Sequence, residues 1–345
     1  MLEWQSVAYD NIPRWEQDRH SEAFVNFIRS CRKPKQTKHG LSELVDKTVW
    51  QETCEQAEAL GTVSADQAKA FFEEYFTPYK LSTNLKEQGL LTGYYIPVLE
   101  GSLTKSKDYT WPVYARPDDL KKGEPYFTHA EINAGALDGR GLEVMWLRDP
   151  VMGFFMHIQG SGRVRLPDGK MADLLYDGKN NRAYTAIGRT LIDQGELTKE
   201  NVSLQSIRDW LYANPDRAQE IMESNESYVF FRRENAEQLP LGGQGVPLVP
   251  ERSVAVDTSV LPYGLPVYVS TQVLGKGEKM RQFSRTLITQ DTGGAIKGPL
   301  RGDIFFGQGD DAEARAGGQQ FKGTWYLLVP TKREPDEQTG QTDRS

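Results

Sequence analysis

The chain has little thiol chemistry to offer. Two cysteines occur among 345 residues, Cys31 and Cys54. No Cys-x-x-Cys pair and no Cys/His spacing reads as a zinc site. Both cysteines fall in an N-terminal region of helical texture, where two buried thiols are expected rather than a disulfide. Histidine is as scarce, with four residues at positions 20, 39, 129 and 157. They are too scattered for a His-based metal centre, so no metal and no cofactor are expected. Positive charge is also in short supply. The formal net charge is −7, which argues against nucleic acid, because phosphate binding needs a clustered basic surface. It disfavours adhesion to anionic lipid by charge, but it leaves carbohydrate open, since sugars are bound by aromatic faces and hydrogen bonds. No run of about 18 apolar residues exists, so no transmembrane helix is expected. The opening "MLEWQSVAYDNIPRW" has no charged n-region, apolar h-region or lipobox cysteine. That leaves two expectations, a cytoplasmic protein or one whose targeting segment has been removed. No G-x-G-x-x-G or G-x-x-x-x-G-K-[ST] follows a strand, which disfavours nucleotide-binding folds.

What is present falls into blocks. Hydrophobics at 38% suffice for a packed core, and aromatics at 10% add to it. The length suggests two domains, or one with an insertion. The first ninety residues read as helical. "SEAFVNFIRSCR" places Phe24, Phe27 and Ile28 at helical spacing. Ser64 and Gln67 fit a capping box, and Pro78 is expected to stop the helix carrying Phe71, Phe72, Tyr75 and Phe76. From Leu90 the texture turns to β. Phe154, Met156 and Ile158 alternate with Phe155, His157 and Gln159, which predicts a strand. "LPDGK" predicts a turn between two strands. Residues 183–225 read as helices, with Asn214 and Pro215 starting the last. From Tyr228 to about Pro330 the pattern is β again. "RRENAEQLPLGGQG" reads as a linker, and residues 336–345 as a disordered tail. Short strands with many glycine turns favour barrels over a parallel βαβ sheet.

The chemistry centres on "QDTGGAIKGPLRGDIFFGQG", residues 290–309. It sets Asp291 and Asp303 twelve positions apart among six glycines. Asp291-Thr292-Gly293 is the D-T-G of aspartic proteases, and Asp257-Thr258-Ser259 is close to it. A shared-proton dyad is disfavoured, because 34 positions are too few for a repeated lobe. Ser161, between glycines in "QGSG", fits a tight turn better than a nucleophile. Carboxylate chemistry on a glycoside remains. Asp303 directly precedes Ile304-Phe305-Phe306. Desolvation there would raise its pKa and keep it protonated as a general acid. Asp291 and Asp257 sit in polar, turn-like settings and read as hydrogen-bonded anchors. Asp310 and Asp311 read as a solvated loop or a helix start.

These residues belong to a longer string. "TGYY" (92–95), "HIQGSG" (157–162), "GKNNRAYTAIGRTLIDQGE" (178–196), "SYVFF" (227–231) and "VPLVPERSVAVD" (246–257) lead up to the aspartate stretch. Together they resemble the membrane-bound lytic murein transglycosylase A family, over roughly residues 10–330. The resemblance implies a mainly β fold with a helical N-terminal region. It implies a double-psi β-barrel domain from residues 1–98 and 243–335. A smaller β-barrel domain, residues 99–242, would be inserted, with a glycan groove between the two. The family's C-terminal region is named for three aspartates, matching Asp257, Asp291 and Asp303. By the resemblance Asp303 is the catalytic acid, and Asp291 and Asp257 support it. Thr92, Tyr94, Gln159, Ser161 and Lys297 are the candidate substrate contacts. The implied reaction splits the bond between N-acetylmuramic acid and N-acetylglucosamine in peptidoglycan and leaves a 1,6-anhydro ring. The implied setting is the periplasm or the outer membrane, the implied partners other cell-wall enzymes, the implied state a monomer. A non-catalytic glycan-binding protein on the same barrel is the alternative, and the presence of Asp303 speaks against it.

Overall fold

The computed structural model describes residues 2–33, 45–235, 240–275 and 279–331. The proposed tail, 336–345, lies outside them. Six strands close into a barrel: β3 (Gly89–Ile96), β10 (Ser253–Val256), β11 (Pro266–Leu274), β12 (Met280–Asp291), β13 (Arg301–Gln308) and β14 (Gln320–Pro330). The order is β14-β11-β12-β10-β13-β3, and β3 pairs back onto β14. Closure leaves no open edge among these six strands. Pairs β10/β12 and β13/β3 are parallel within an otherwise antiparallel ring, as the expected double-psi barrel requires. Two strands extend the sheet beyond β14, namely β2 (Phe76–Thr83) and then β1 (Leu2–Ser6). The expectation that the first ninety residues are helical is therefore corrected at both ends. "LEWQS" has a half-buried alternation too short to outweigh its helical surroundings.

Three helices pack on this barrel: α1 (His20–Cys31), α2 (Lys47–Leu60) and α3 (Ala65–Tyr75). The capping box at Ser64 and Gln67 starts α3 as expected. The helix ends at Tyr75, and Pro78 lies inside β2. Phe24 and Phe27 of α1 are fully buried against Phe71, Phe72 and Phe76. Each such phenylalanine contributes roughly 1.5–3 kcal/mol of burial free energy. Arg252, just before β10, is buried and pairs with Asp18 at 2.8 Å and Glu22 at 3.0 Å. Breaking a buried pair strands a charge, which locks the N-terminal helices onto the barrel. The cysteines are not free thiols. Cys31 and Cys54 form a disulfide that joins α1 to α2, with Cα atoms 5.5 Å apart. Helical periodicity places each cysteine on its own helix but says nothing of how the helices pair.

A second six-stranded sheet takes the chain between β3 and the return to the barrel. Its order is β5-β6-β4-β7-β8-β9. The strands are β4 (Val98–Ser102), β5 (Trp111–Tyr114), β6 (Glu143–Leu147), β7 (Ser161–Arg165), β8 (Met171–Lys179) and β9 (Val229–Asn235). Helices α4 (His129–Glu131), α5 (Pro150–Gln159), α6 (Ile187–Asp193), α7 (Leu204–Ala213) and α8 (Pro215–Glu223) cover it. The strand expected at Phe154–Ile158 is instead the helix α5. Asp149 caps its start, accepting from Val151 and Met152 N–H, and left-handed Gly160 ends it. Phe154, Phe155, Met156 and His157 are all buried, so a helix hidden on every side shows the same apolar run as a buried strand. "LPDGK" does turn between β7 and β8. A last helix, α9 (Asp310–Ala316), follows β13. Its buried Glu313 pairs with Arg208 of α7 and so ties the second sheet's helices to the barrel.

Candidate active site

The site is a row across four neighbouring strands. Asp291 at the end of β12 is the register partner of Ala255 in β10. Ala255 also partners Asp303 in β13, which in turn partners Thr92 in β3. Two acids twelve positions apart on the chain thus flank one small, buried side chain. Their backbones stand two strand spacings apart, roughly 10 Å.

The alignment depends on a β-bulge. Val254 pairs with Thr289 and Ala255 with Asp291, so Gln290 has no partner across the ladder. An extra residue at a bulge re-aims the side chains around it. Here it turns Gln290 inward to α1, where its amide exchanges hydrogen bonds with Asn26 at 3.0 and 3.1 Å. Gln290 Nε2 also donates to Ser30 Oγ at 2.8 Å. All three side chains are fully buried, and a satisfied buried network of this kind fixes a single geometry.

Asp303 is half-buried and receives one hydroxyl. Thr92 Oγ1 donates to its Oδ1 at 2.6 Å, while Arg301 Nη1 donates to the same Thr92 oxygen at 2.8 Å. Ile304, Phe305 and Phe306 are buried directly after it. Burial pushes the Asp303 pKa up to about 6. The Thr92 hydrogen bond and the Arg301 cation pull the other way, and the charge of Asp291 adds to the rise. A carboxyl poised there holds a proton or gives it up near neutral pH.

Asp291 is held differently. Its Oδ2 accepts from Tyr94 Oη at 2.7 Å, and its Oδ1 accepts from Gly243 N–H at 2.8 Å and Thr292 N–H at 2.9 Å. Burial raises its pKa, and those three donors oppose the rise. Tyr94 is kept protonated by burial and by the Asp291 charge. Asp257, just past β10, is the third anchor. Ser259 donates to it by Oγ at 2.7 Å and by N–H at 3.1 Å, and Gly298 N–H donates at 2.9 Å. Burial works to raise its pKa, but these donors outweigh it and leave the group below the ordinary carboxylate value. Asp257 therefore fastens the loop 292–300 to the barrel, helped by Thr292 Oγ1 donating to Val256 O at 2.9 Å.

Thr92, Tyr94, Asp291 and Asp303 converge directly. Gln159 stands at the end of α5, its Oε1 accepting from Tyr95 N–H at 3.4 Å. Ser161 opens β7 half-buried, between left-handed Gly160 and buried Gly162. No hydrogen bond joins either of them to the aspartates among the described residues. Lys297 is exposed, with Nζ 4.0 Å from Asp257 Oδ1. Three contributors escaped the sequence reading. Arg301 is two residues before Asp303, so strand alternation puts both on one face. Gln290 had only its place beside Asp291 to signal it. Gly243 lies in the segment read as a linker, of which residues 236–239 lie outside the described residues. A Cβ at Gly243 would lie 2.3 Å from the Tyr263 hydroxyl, so a larger residue brings this N–H up to Asp291 only if Tyr263 gives way.

Two family models match the chain. The MltA specific insert domain covers residues 90–232, and the 3D domain covers residues 252–329. The membrane-bound lytic murein transglycosylase A of Vibrio cholerae is 39% identical over 244 residues. That match spans 69% of this chain and 65% of the relative's length. A membrane-bound lytic murein transglycosylase structure from Agrobacterium tumefaciens superposes with a TM-score of 0.84 at 31% identity. It covers 95% of this chain and 98% of that one. The chain belongs to the membrane-bound lytic murein transglycosylase A family. The Escherichia coli MltA structure with bound chitohexaose is similar at 28% identity, with a TM-score of 0.74 and 95% of both chains covered. In family terms, Asp257, Asp291 and Asp303 all lie within the 3D match, whereas Thr92, Tyr94, Gln159 and Ser161 lie within the insert match. The bonds Thr92–Asp303 and Tyr94–Asp291 therefore join residues of the two matched regions.

Proposed function

We propose that the chain cleaves the β-1,4 bond between N-acetylmuramic acid and N-acetylglucosamine in peptidoglycan, with Asp303 as its single catalytic acid. The observation that carries this reading is the unequal state of two neighbouring acids. Asp303 has one hydroxyl partner and a pKa near 6. Asp291 has three donors on its two oxygens and is already engaged. An ordinary glycosidase needs a second free carboxylate as nucleophile or base. A transglycosylase does not, because the sugar's own 6-hydroxyl attacks C1. Asp303 gives its proton to the leaving oxygen as the glycosidic bond breaks. It then takes the proton of the attacking hydroxyl, and the 1,6-anhydro ring closes without water. Tyr94 holds Asp291 in place, and Thr92 orients Asp303. Gln159, Ser161 and Lys297 are taken as glycan contacts.

In this reading residues 1–98 and 243–335 form the catalytic domain and 99–242 the inserted one, with the glycan between them. The bound sugar chain of the E. coli relative favours such a groove. The disulfide favours an oxidising compartment such as the periplasm. Mass spectrometry of digested murein is the test. Anhydro-muropeptides lighter by one water than hydrolysed ones are expected. Hydrated reducing ends as the only products would make this a hydrolase. Intact murein bound but not cut would make it a glycan-binding module.

A further inference from the structure

A second feature lies against the site. A cavity of about 920 Å³ opens between the turn at residues 83–90, the loop 297–301 and the start of β14. Lys80, Lys86, Lys297, Arg301 and Lys322 line it, against one acid, Glu87. This is a basic recess on a chain of net charge −7. Glu87 is largely exposed and stands 3.9 Å from Lys80. Among the described residues, Lys86 and Lys322 have no carboxylate partner within ion-pair distance, and both are exposed. Cations gathered in a recess focus their field on an anion entering it. The wall is not purely charged. Leu85 is 85% exposed at the rim, and Leu90 and Pro299 also line the cavity.

Arg301 connects this cavity to the chemistry, since its guanidinium donates to the Thr92 hydroxyl that holds Asp303. Whatever fills the cavity and meets Arg301 is therefore linked through Thr92 to Asp303. N-acetylated sugars are neutral; Lys297 is already taken as a glycan contact, and the other cations gain no charged partner from them. The peptide that peptidoglycan carries on its muramic acid brings free carboxylates and small apolar side chains. We propose that this cavity is a subsite for the carboxylate-bearing peptide stem, placed next to Asp303 through Arg301. The proposal rests on the function proposed above.

The test compares wild type with the double variant Lys86→Glu, Lys322→Glu, on strands with peptide stems and on strands stripped of them by an amidase. Both positions are exposed, so melting temperature is expected to hold. KM for stem-bearing strands should rise about tenfold, as reversal of two surface charges allows. Stripped strands should change less than twofold. An NMR titration with a free stem peptide should shift the Lys86, Arg301 and Lys322 signals, and the same peptide with amidated carboxyls should not. Equal losses on both strands would overturn the proposal, because the cations would then be reading the glycan. No loss on either would overturn it too. Loss of binding to anionic lipid vesicles, with strand preference unchanged, would assign the cavity to a membrane surface instead. If wild type cut neither substrate, the proposed reaction would fall, and the peptide titration would still decide the subsite.

Discussion

Thr92 Oγ1 donates its proton to Asp303 Oδ1 at 2.6 Å. Its own oxygen accepts from Arg301. The chain Arg301–Thr92–Asp303 thus favours the ionised carboxylate, while burial favours the protonated one. Burial wins, and the pKa settles at about 6. Activity that needs the protonated acid should fall as pH rises through about 6. Thr92→Val and Arg301→Met each remove a group that favours the carboxylate. Both should move the basic limb of the kcat/KM profile upward. A limb that stays put in both variants would mean that Asp303 is not the group titrating.

The same balance sets a stability prediction. The folded pKa of Asp303 lies above its ordinary value of 3.8, so the protonated form favours folding. That stabilisation is complete below about pH 4 and is lost as pH rises through about 6. Asp303→Asn keeps the size of the side chain and cannot ionise. Its melting temperature should exceed that of wild type at pH 8, and the gap should close near pH 4. The variant should form no anhydro product and still bind glycan strands. Near-normal turnover in Asp303→Asn, beside a folded but inactive Asp291→Asn, would show that the acids had been assigned the wrong way round.

Asp291→Asn should behave as an anchor does. Its oxygens accept from Tyr94, Gly243 and Thr292; with the amide oxygen on the two N–H donors, the nitrogen meets the Tyr94 hydroxyl, and the charge that all three bonds share is lost. Loss of one charge-assisted bond costs on the order of 1.5–3 kcal/mol. Melting temperature and activity should drop together. Gln290→Leu should give a milder copy of this effect, because it empties the bulge network that aims Asp291. Unchanged activity in a destabilised Gln290→Leu would separate the network from the site.

How much of this could be read along the chain follows from distance in sequence. The raised pKa of Asp303 was legible only in part, because alternation leaves Phe305 on its face of β13 while Ile304 and Phe306 belong to the barrel core. The hydrogen bonds that Asp291 and Asp257 accept from Thr292 and Ser259 were legible, since these donors follow at once. The bulge was not legible, since Gln290 meets Asn26 across 264 positions. Gly243 looked like linker because its reason for being glycine is Tyr263, in another segment. Helix α5 was misread because burial on all sides erases the periodicity that separates helix from strand. Arg301 was missed although alternation alone aligns it with Asp303.

EDTA should leave activity intact, because the proposed steps only move protons to and from Asp303 and need no Lewis acid. Among the described residues no three His, Cys, Asp or Glu side chains gather as a metal site would require. Loss of activity that a divalent ion restores would reveal a metal requirement and force a different mechanism.

The disulfide offers the last test, and it reaches the site by a traceable route. Cys31 ends α1, the helix that carries Asn26 and Ser30. Those two side chains hold Gln290 at the bulge, and the bulge aims Asp291. Residues 31 and 54 are 23 positions apart, and a loop of that size is worth about 3 kcal/mol by chain entropy. Cys31→Ser with Cys54→Ser should therefore lower the melting temperature by several degrees. If α1 is tethered mainly by the bridge, kcat should fall as well, well below the melting transition, and Asp303's basic limb should not move. If buried Phe24, Phe27 and the Arg252 pairs hold α1 alone, stability should fall with kcat unchanged. The amide signal of Gln290 distinguishes the two, since only the first outcome shifts it. A double variant as stable as wild type would show that packing already supplies all the constraint the bridge adds.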